Sequence, residues 1–206
     1  MNNLLIEIKK LENTFVKKIV SNKMQEFQSL KKSSNIILFQ ELCFCLMAAN
    51  FNAEKSLRIQ NALKEELYTL SQDELANKLK ELGHRFPNTR AKYIVEARTH
   101  NLRKILDSYN NDLDLRNYFA KNIKGLGLKE SSHFLRNIGY ENLAIIDFHI
   151  IDLLVKSNII IKPKTITPKI YLEAEDILKK IGKKAKLTLA ELDLYLWYIE
   201  TGKIIK

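Results

Sequence analysis

Lys129 lies where a helix is predicted to begin, which is an unusual position for a cationic side chain. The peptide dipoles of a helix sum to partial positive charge at its N-terminus, and this charge disfavours the ammonium form of a lysine. A neutral amine is a nucleophile that forms Schiff bases. A phosphate-binding lysine would suit the same position, so the residues alone leave both interpretations open.

Asp147 is a second candidate for chemistry, eighteen residues further along the chain. It follows the apolar run 143–146 and precedes a helical pattern, which is typical of a helix N-cap. A helix that returns from Lys129 through a short connection would let this carboxylate face the same cleft. An amine with a carboxylate is the pair that cleavage of a glycosidic bond at a deoxynucleotide requires. Capping alone also accounts for an aspartate at this position.

The segment around Lys129 predicts a helix-hairpin-helix motif over about residues 112–138. A helical pattern ends near Asn122, two glycines follow, and a second amphipathic pattern begins after them. Gly125 and Gly127 are expected to adopt backbone angles that are closed to other residues and to approach a phosphate closely. The free amides at the start of the next helix would then bind that phosphate.

The elements that position these residues are predicted to be helices, because helical periodicity recurs along the chain and alternating strand patterns are nearly absent. A second helix is expected to start at Ser34 or Asn35 and to run to about Ala49. It is apolar on most of its faces and should be buried. The first helix is expected to carry one apolar stripe, formed by Leu4, Ile8, Leu11, Phe15 and Ile19.

Pairs of residues with capping geometry mark the starts of three later helices. These pairs are Ser71 with Glu74, Thr167 with Pro168, and Thr188 with Glu191. The chain is therefore predicted to be all-α, with two helical lobes around a cleft that together form a single domain over residues 1–206.

The charge balance favours a polyanionic partner. The 206 residues include 34 Lys and Arg against 24 Asp and Glu, which gives a formal net charge of +10. Such an excess favours nucleic acid, because neutralised phosphates release counterions. Cys43 and Cys45 are predicted to be core side chains. Two cysteines are too few for a disulfide framework or for a four-cysteine iron–sulfur cluster.

Other classes of site and location are also disfavoured. His84, His133 and His149 are interpreted as capping or surface residues, since nothing pairs them at metal-ligand spacing. Neither a metal nor a cofactor is expected. No secretory signal is visible, and the apolar run 36–49 is shorter than the ~20 residues that span a bilayer. We therefore expect a cytoplasmic monomer with no membrane partner.

Six motifs spread over most of the chain carry a specific resemblance. They are Phe-Gln-Glu-Leu-Cys-Phe-Cys with Gly-His-Arg-Phe, Gly-Leu-Gly-Leu-Lys-Glu-Ser-Ser-His-Phe-Leu-Arg-Asn-Ile-Gly-Tyr, Ala-Ile-Ile-Asp-Phe-His, and Glu-Leu-Asp-Leu-Tyr-Leu-Trp-Tyr with the final Thr-Gly-Lys-Ile-Ile-Lys. Together they resemble the archaeal-type (type 2) 8-oxoguanine DNA glycosylases/lyases of the helix-hairpin-helix glycosylase superfamily. The resemblance implies double-stranded DNA containing 8-oxoguanine as the partner, base release through a lysine Schiff base, and strand cleavage by β-elimination.

The resemblance also implies roles for individual residues. Lys129 matches the Schiff-base lysine and Asp147 matches the catalytic aspartate. Phe86 and Trp197 match aromatic residues around the extruded base, and stacking is how a flipped base is held. Lys206 matches the C-terminal lysine whose carboxylate distinguishes 8-oxoguanine from guanine.

Two further positions bear on DNA contact. Asn50 ends the second helix at a place where superfamily members often have a polar residue that fills the vacated stack. Phe148 departs from the family pattern, which has Arg after the aspartate, and this puts one backbone or phosphate contact in doubt.

Two alternatives remain at this stage. One is a related glycosylase for a different oxidised base, although the endonuclease III and adenine glycosylase types usually carry a four-cysteine cluster. The other is a non-catalytic helix-hairpin-helix module that binds DNA without turnover, which leaves Lys129 and Asp147 without an explanation.

Overall fold

The computed structural model describes residues 1–206, which form thirteen helices and no strand. The all-α prediction is therefore confirmed. None of the helices combines the length and apolar character that crossing a membrane needs. The helices are α1 (Asn2–Glu12), α2 (Phe15–Leu30), α3 (Asn35–Ala48), α4 (Ala53–Leu63), α5 (Glu66–Thr69), α6 (Gln72–Glu81), α7 (Pro87–Ala97), α8 (Leu102–Asp107), α9 (Asp112–Asn122), α10 (Leu128–Asn137), α11 (Phe148–Lys156), α12 (Pro168–Ala185) and α13 (Leu189–Thr201).

The helices belong to two compact units. The terminal unit comprises residues 1–29, 139–204 and 206, and it contains α1, nearly all of α2, and α11 to α13. Within it, α1 packs against α12 and α13, and α13 also packs against α11 and α12. The central unit comprises residues 30–138 and 205, and it contains α3 to α10.

Helix α3 is the buried centre of the central unit. It packs against α4, α5, α7, α8 and α10, and all its residues from 41 to 48 are buried. Cys43 and Cys45 are 0% and 1% exposed, so their predicted place in the core is confirmed. Burial raises the pKa of the Cys43 thiol well above its ordinary value.

The predicted first helix is in fact two helices. Thr14 lies at the break, where its hydroxyl donates to the Leu11 carbonyl at 2.8 Å and accepts from the Val16 amide at 3.2 Å. These local bonds compete with continued helix. Phe15 is 68% exposed and Ile19 is 37% exposed, so the apolar stripe does not continue through them. The buried face of α2 is instead formed by Val16, Val20 and Phe27.

The three predicted helix starts are confirmed. Complete capping boxes join Ser71 to Glu74 at α6 and Thr188 to Glu191 at α13. Thr167 caps α12 by accepting a hydrogen bond from the Ile170 amide at 3.3 Å. These contacts are local in sequence, so residue type and spacing are enough to predict them.

Candidate active site

A tight hairpin joins α9 to α10 in the central unit. The Leu126 amide donates to the carbonyl of Ile123, which is the C-cap of α9, at 3.2 Å. Gly125 lies between them with φ +93°, a conformation that favours glycine. A Cβ atom at this position would overlap the ring of Tyr93 on α7 and lie 3.1 Å from Cδ2 of Leu46 on α3. Both the backbone angle and the packing therefore require glycine at 125.

Gly127 does not meet the same expectation. Its φ of −102° and ψ of −167° are extended angles that other residues also adopt. Its amide donates to Oε2 of Glu130 at 3.3 Å, which is the backbone half of a capping box. The prediction of glycine-only backbone angles is thus correct at Gly125 and wrong at Gly127.

Lys129 is the second residue of α10, in the first turn, as predicted. Its side chain is 25% exposed, and its amine lies 3.7 Å from Oε1 of Glu130. No spacing rule in the sequence predicts this contact with a neighbouring carboxylate. The N-terminal end of the α10 dipole and the Glu130 carboxylate therefore both lie close to the Lys129 amine. The nucleophilic role of Lys129 stays a prediction.

Asp147 is the N-cap of α11 in the terminal unit, which confirms its predicted capping role. Its Oδ1 accepts a hydrogen bond from the Ile150 amide at 3.1 Å. The cap uses one carboxylate oxygen, so Oδ2 is left to interact with a ligand. Phe148, directly after it, is 53% exposed. Capping and chemistry are compatible at this aspartate, and its catalytic role stays a prediction.

Trp197 on α13 lies beside the first turn of α11. Its ring contacts that of His149 edge to face, with centroids 5.3 Å apart and planes at 84°. Trp197 is half-buried, so part of the indole remains available to a ligand. His149 is exposed, as expected of a surface residue. Lys206 is also half-buried and lies after α13, in a segment without helix.

Phe86 is the N-cap residue of α7 in the central unit, and its side chain is half-buried. The guanidinium carbons of Arg85 and Arg90 lie 5.0 and 5.8 Å from its ring centroid. An aromatic ring flanked by cations suits a ligand that combines flat bases with phosphates.

Asn50 is exposed at the tip of a turn that ends α3. Ala49 has φ −61° and ψ 117°, Asn50 has φ 54°, and the Phe51 amide donates to the Ala48 carbonyl at 3.1 Å. These values describe a type II turn, in which the third residue has positive φ and is commonly Gly or Asn. The turn presents the Asn50 side chain to solvent.

Sequence reasoning missed two residues that hold these segments in place. His84 and Arg90 are 4% and 6% exposed, and both donate or accept side-chain hydrogen bonds at the end of α3. The surface location predicted for His84 is therefore wrong, although its ring does cap the end of α3, and His133 is buried as well. The partners of His84 and Arg90 are distant in sequence, so no local spacing identifies them.

The predicted site residues are distributed over both units. The central unit contains Asn50, Phe86, Gly125, Gly127 and Lys129, and the terminal unit contains Asp147, Trp197 and Lys206. Within the central unit, Leu46 of α3 and Tyr93 of α7 lie next to Gly125 of the hairpin. The end of α3 is also hydrogen-bonded to His84 and Arg90, on either side of Phe86. Within the terminal unit, the starting turn of α11 is joined to Trp197 through His149.

Helices α9 and α10, joined by the glycine hairpin, form a helix-hairpin-helix motif in this all-helical chain. A sequence profile of the Ogg-HhH family, described as 8-oxoguanine DNA glycosylase, matches residues 20–187. The chain therefore belongs to the 8-oxoguanine DNA glycosylase family, which confirms the resemblance found in its motifs.

Individual relatives match over nearly their full lengths. The 8-oxoguanine DNA glycosylase/AP lyase of Korarchaeum cryptofilum is 49% identical, with 100% of this chain and 99% of the relative covered. The crystal structure of the Methanocaldococcus jannaschii 8-oxoguanine glycosylase/lyase, in complex with 15mer DNA containing 8-oxoguanine, matches with a TM-score of 0.96. The identity is 48%, and 98% of this chain and 99% of that chain are covered. The crystal structure of the Thermotoga maritima 8-oxoguanine DNA glycosylase matches with a TM-score of 0.90 and 37% identity, over 100% and 99%.

The two hairpin glycines should respond differently to substitution by alanine. Gly125→Ala is expected to destabilise the fold by about 2 kcal/mol or more, because it combines positive φ with overlap on Tyr93. Gly127→Ala should cost less than about 1 kcal/mol, since its backbone angles are open to alanine. Urea unfolding of both variants measures the difference. Equal losses in the two variants would contradict this account of the hairpin.

Proposed function

We propose that this chain excises 8-oxoguanine from double-stranded DNA and then cleaves the strand at the abasic site. The observation that carries the proposal is the 48% identity, over 98% of this chain, to a glycosylase/lyase crystallised with DNA containing 8-oxoguanine. The formal charge of +10 is consistent with a nucleic acid partner.

In the first step, the neutral amine of Lys129 attacks C1′ of the damaged nucleotide. A bond forms between nitrogen and C1′, and the glycosidic bond breaks. The base leaves with the bonding electrons and takes up a proton. The ammonium of Lys129 must lose a proton before it attacks, and the nearby Glu130 carboxylate, with Oε1 3.7 Å from the amine, is a candidate to accept that proton.

In the second step, the nitrogen lone pair expels the ring oxygen of the sugar and leaves a Schiff base. Loss of a proton from C2′ then drives β-elimination, in which the bond between C3′ and its oxygen breaks. The strand is nicked 3′ to the lesion. Water finally releases the sugar fragment from Lys129 and restores the amine.

Asp147 supplies negative charge to this sequence. As the glycosidic bond breaks, positive charge develops on the sugar, and a carboxylate stabilises it electrostatically. The bond from the Ile150 amide to Oδ1 fixes the orientation of the carboxylate and leaves Oδ2 for the substrate or for proton transfer. The oriented carboxylate of Asp147 would thus stabilise the positive charge on the sugar, and Lys129 would be the nucleophile.

The remaining predicted residues would recognise DNA and the flipped base. Phe86 and Trp197 expose parts of their aromatic rings and suit stacking on an extruded base. The exposed side chain of Asn50 suits the space that the base vacates. The hairpin around Gly125 and Gly127 suits a phosphate, which would replace Oε2 of Glu130 as the acceptor for the Gly127 amide.

Borohydride should trap the wild-type protein covalently on duplex DNA containing 8-oxoguanine, because it reduces the Schiff base to a stable amine. The trapped complex should be absent in Lys129→Ala and should persist in Lys180→Ala, which removes an exposed lysine of α12. Denaturing electrophoresis separates the complex from free DNA. A complex that persists in Lys129→Ala would refute the assignment. Trapping only on duplexes with other oxidised bases would favour a different lesion, and DNA binding without any trap would favour a non-catalytic module.

The substitution Asp147→Asn should remove the negative charge and keep the N-cap of α11. Asparagine is as good an N-cap as aspartate, so the unfolding midpoint should change little. Loss of the charge should slow base excision by about 100-fold or more in single-turnover assays. Asp147→Ala should lose both excision and about 1 kcal/mol of stability. Normal excision by Asp147→Asn would show that this residue only caps α11.

The α-carboxylate of Lys206 is proposed to recognise the damaged base. 8-Oxoguanine has a donor at N7 where guanine has an acceptor, and a carboxylate accepts only from the donor. Deleting residue 206 should reduce the preference for 8-oxoguanine over guanine by about tenfold or more, whereas Lys206→Ala, which keeps that carboxylate, should preserve it. Competition between the two duplexes measures the ratio. Unchanged selectivity after the deletion would exclude recognition of the base by this carboxylate.

A further inference from the structure

The buried imidazole of His84 joins two segments that the proposed function places against DNA. Its Nε2 lies 3.0 Å from the Met47 carbonyl, near the end of α3. Its Nδ1 accepts a hydrogen bond from the Phe86 amide at 3.0 Å. A carbonyl can only accept, so Nε2 carries the proton and Nδ1 does not. Both bonds can exist together only in this neutral tautomer.

Arg90 makes a second link between the same two segments. Its Nη2 donates to the Ala49 carbonyl, directly before Asn50. Its own backbone amide donates to the Phe86 carbonyl at 3.0 Å in the first turn of α7. We call the side chains of His84 and Arg90, with the carbonyls of Met47 and Ala49, the His84–Arg90 clamp.

The backbone of His84 is fixed independently of its ring. Helix α6 ends in a Schellman motif, in which the His84 amide donates to the Leu79 carbonyl at 2.8 Å and the Gly83 amide donates to the Lys80 carbonyl at 2.9 Å. Gly83 has the positive φ that this motif requires, +77°. The ring of Phe51, next to Asn50, also packs on the imidazole, with centroids 4.3 Å apart. The end of α6 therefore fixes His84, and the His84–Arg90 clamp joins the segment at Phe86 to the Asn50 turn.

We propose that His84 is a positioning residue for base excision, and that its neutral ring holds Phe86 and the Asn50 turn in a single arrangement which protonation releases. An imidazolium carries a proton on Nδ1, which would face the proton of the Phe86 amide and break that bond. The inference rests on the proposed function, since Phe86 is taken to stack on the extruded base and Asn50 to fill its place.

The surroundings of His84 favour the neutral ring. The Met47 carbonyl faces it from α3, the Phe51 ring from the turn after α3, and the Arg90 guanidinium from α7. Of these groups only Arg90 is charged, and its charge is positive. Burial lowers the pKa of His84 below its ordinary value; the Met47 hydrogen bond opposes this with a smaller effect, and the charge of Arg90 adds a lowering that is smaller still.

The direction of the pH effect follows from this lowered pKa. The stabilisation from neutral His84 is fully present above the pKa of an unfolded histidine, about 6.5, and is lost as the pH falls through the lower folded value. The rate of base excision should therefore fall at acidic pH. The rate of strand cleavage at an abasic site should not show this fall, because an abasic site has no base for Phe86 to hold.

The experiment compares two single-turnover rates for each variant between pH 5 and 8: excision from duplexes with 8-oxoguanine, and cleavage of the same duplex with a preformed abasic site. Both rates depend on Lys129, so their ratio cancels effects that act on this lysine alone. In the wild type the ratio should fall by up to about tenfold per pH unit below the folded pKa of His84. The ratio in His100→Asn, a control at a histidine outside the clamp, should follow the wild type.

Two variants of His84 test the hydrogen bond itself. His84→Asn keeps an acceptor near the position of Nδ1 and does not titrate, so its ratio should lie within about threefold of the wild type at pH 7.5 and lose the acidic decline. His84→Leu removes both bonds, so its ratio should fall about tenfold or more at every pH. An acidic decline that persists in His84→Asn, or a wild-type ratio in His84→Leu, would overturn the proposal.

Nuclear magnetic resonance tests the clamp without catalysis. In the wild-type protein, the ring nitrogens of His84 and the backbone amide of Phe86 should titrate with one common midpoint below pH 6.5. A Phe86 amide that does not respond to the titration of His84 would overturn the proposal, even if His84→Leu fails to fold. A wild-type protein that is inactive on both DNA substrates but shows the common midpoint would contradict the proposed function and leave the clamp supported.

Discussion

A buried helix end leaves carbonyl groups that no amide of the same helix can reach, and the end of α3 is such a place. Side chains from the chain around α7 satisfy it: His84 binds the Met47 carbonyl and Arg90 binds the Ala49 carbonyl. The same turn contributes Leu46 to the packing around Gly125. The hairpin around Gly125, the segment around Phe86 and the Asn50 turn therefore all depend on the hydrogen-bonded end of α3.

Much of the architecture could be predicted because its signals are local. Thr188 caps α13 through a residue three positions away, and Gly125 has the positive φ expected of a hairpin glycine. The break between α1 and α2, by contrast, has no local signal from which it could be predicted. Apolar spacing continues through Phe15 without Gly or Pro, and the bonds of the Thr14 hydroxyl that end the helix have no distinctive pattern.

The environment of the proposed nucleophile could be predicted only in part. The start of α10 placed Lys129 in its first turn, but the 3.7 Å contact with Glu130 depends on the rotamers of two adjacent side chains. The roles of His84 and Arg90 depend on contacts that span 37 and 41 residues. Such contacts arise from the packing of α7 against α3, which no short motif encodes. Family resemblance supplied roles for Lys129 and Asp147 but said nothing of their surroundings.

The burial of both cysteines has a consequence for their reactivity toward oxidants. Peroxides attack thiolates that are deprotonated and accessible. Cys43 and Cys45 are almost completely shielded by α3 and its neighbours, and burial raises the pKa of the Cys43 thiol further from neutrality. The sulfur atoms are therefore poor targets for peroxides.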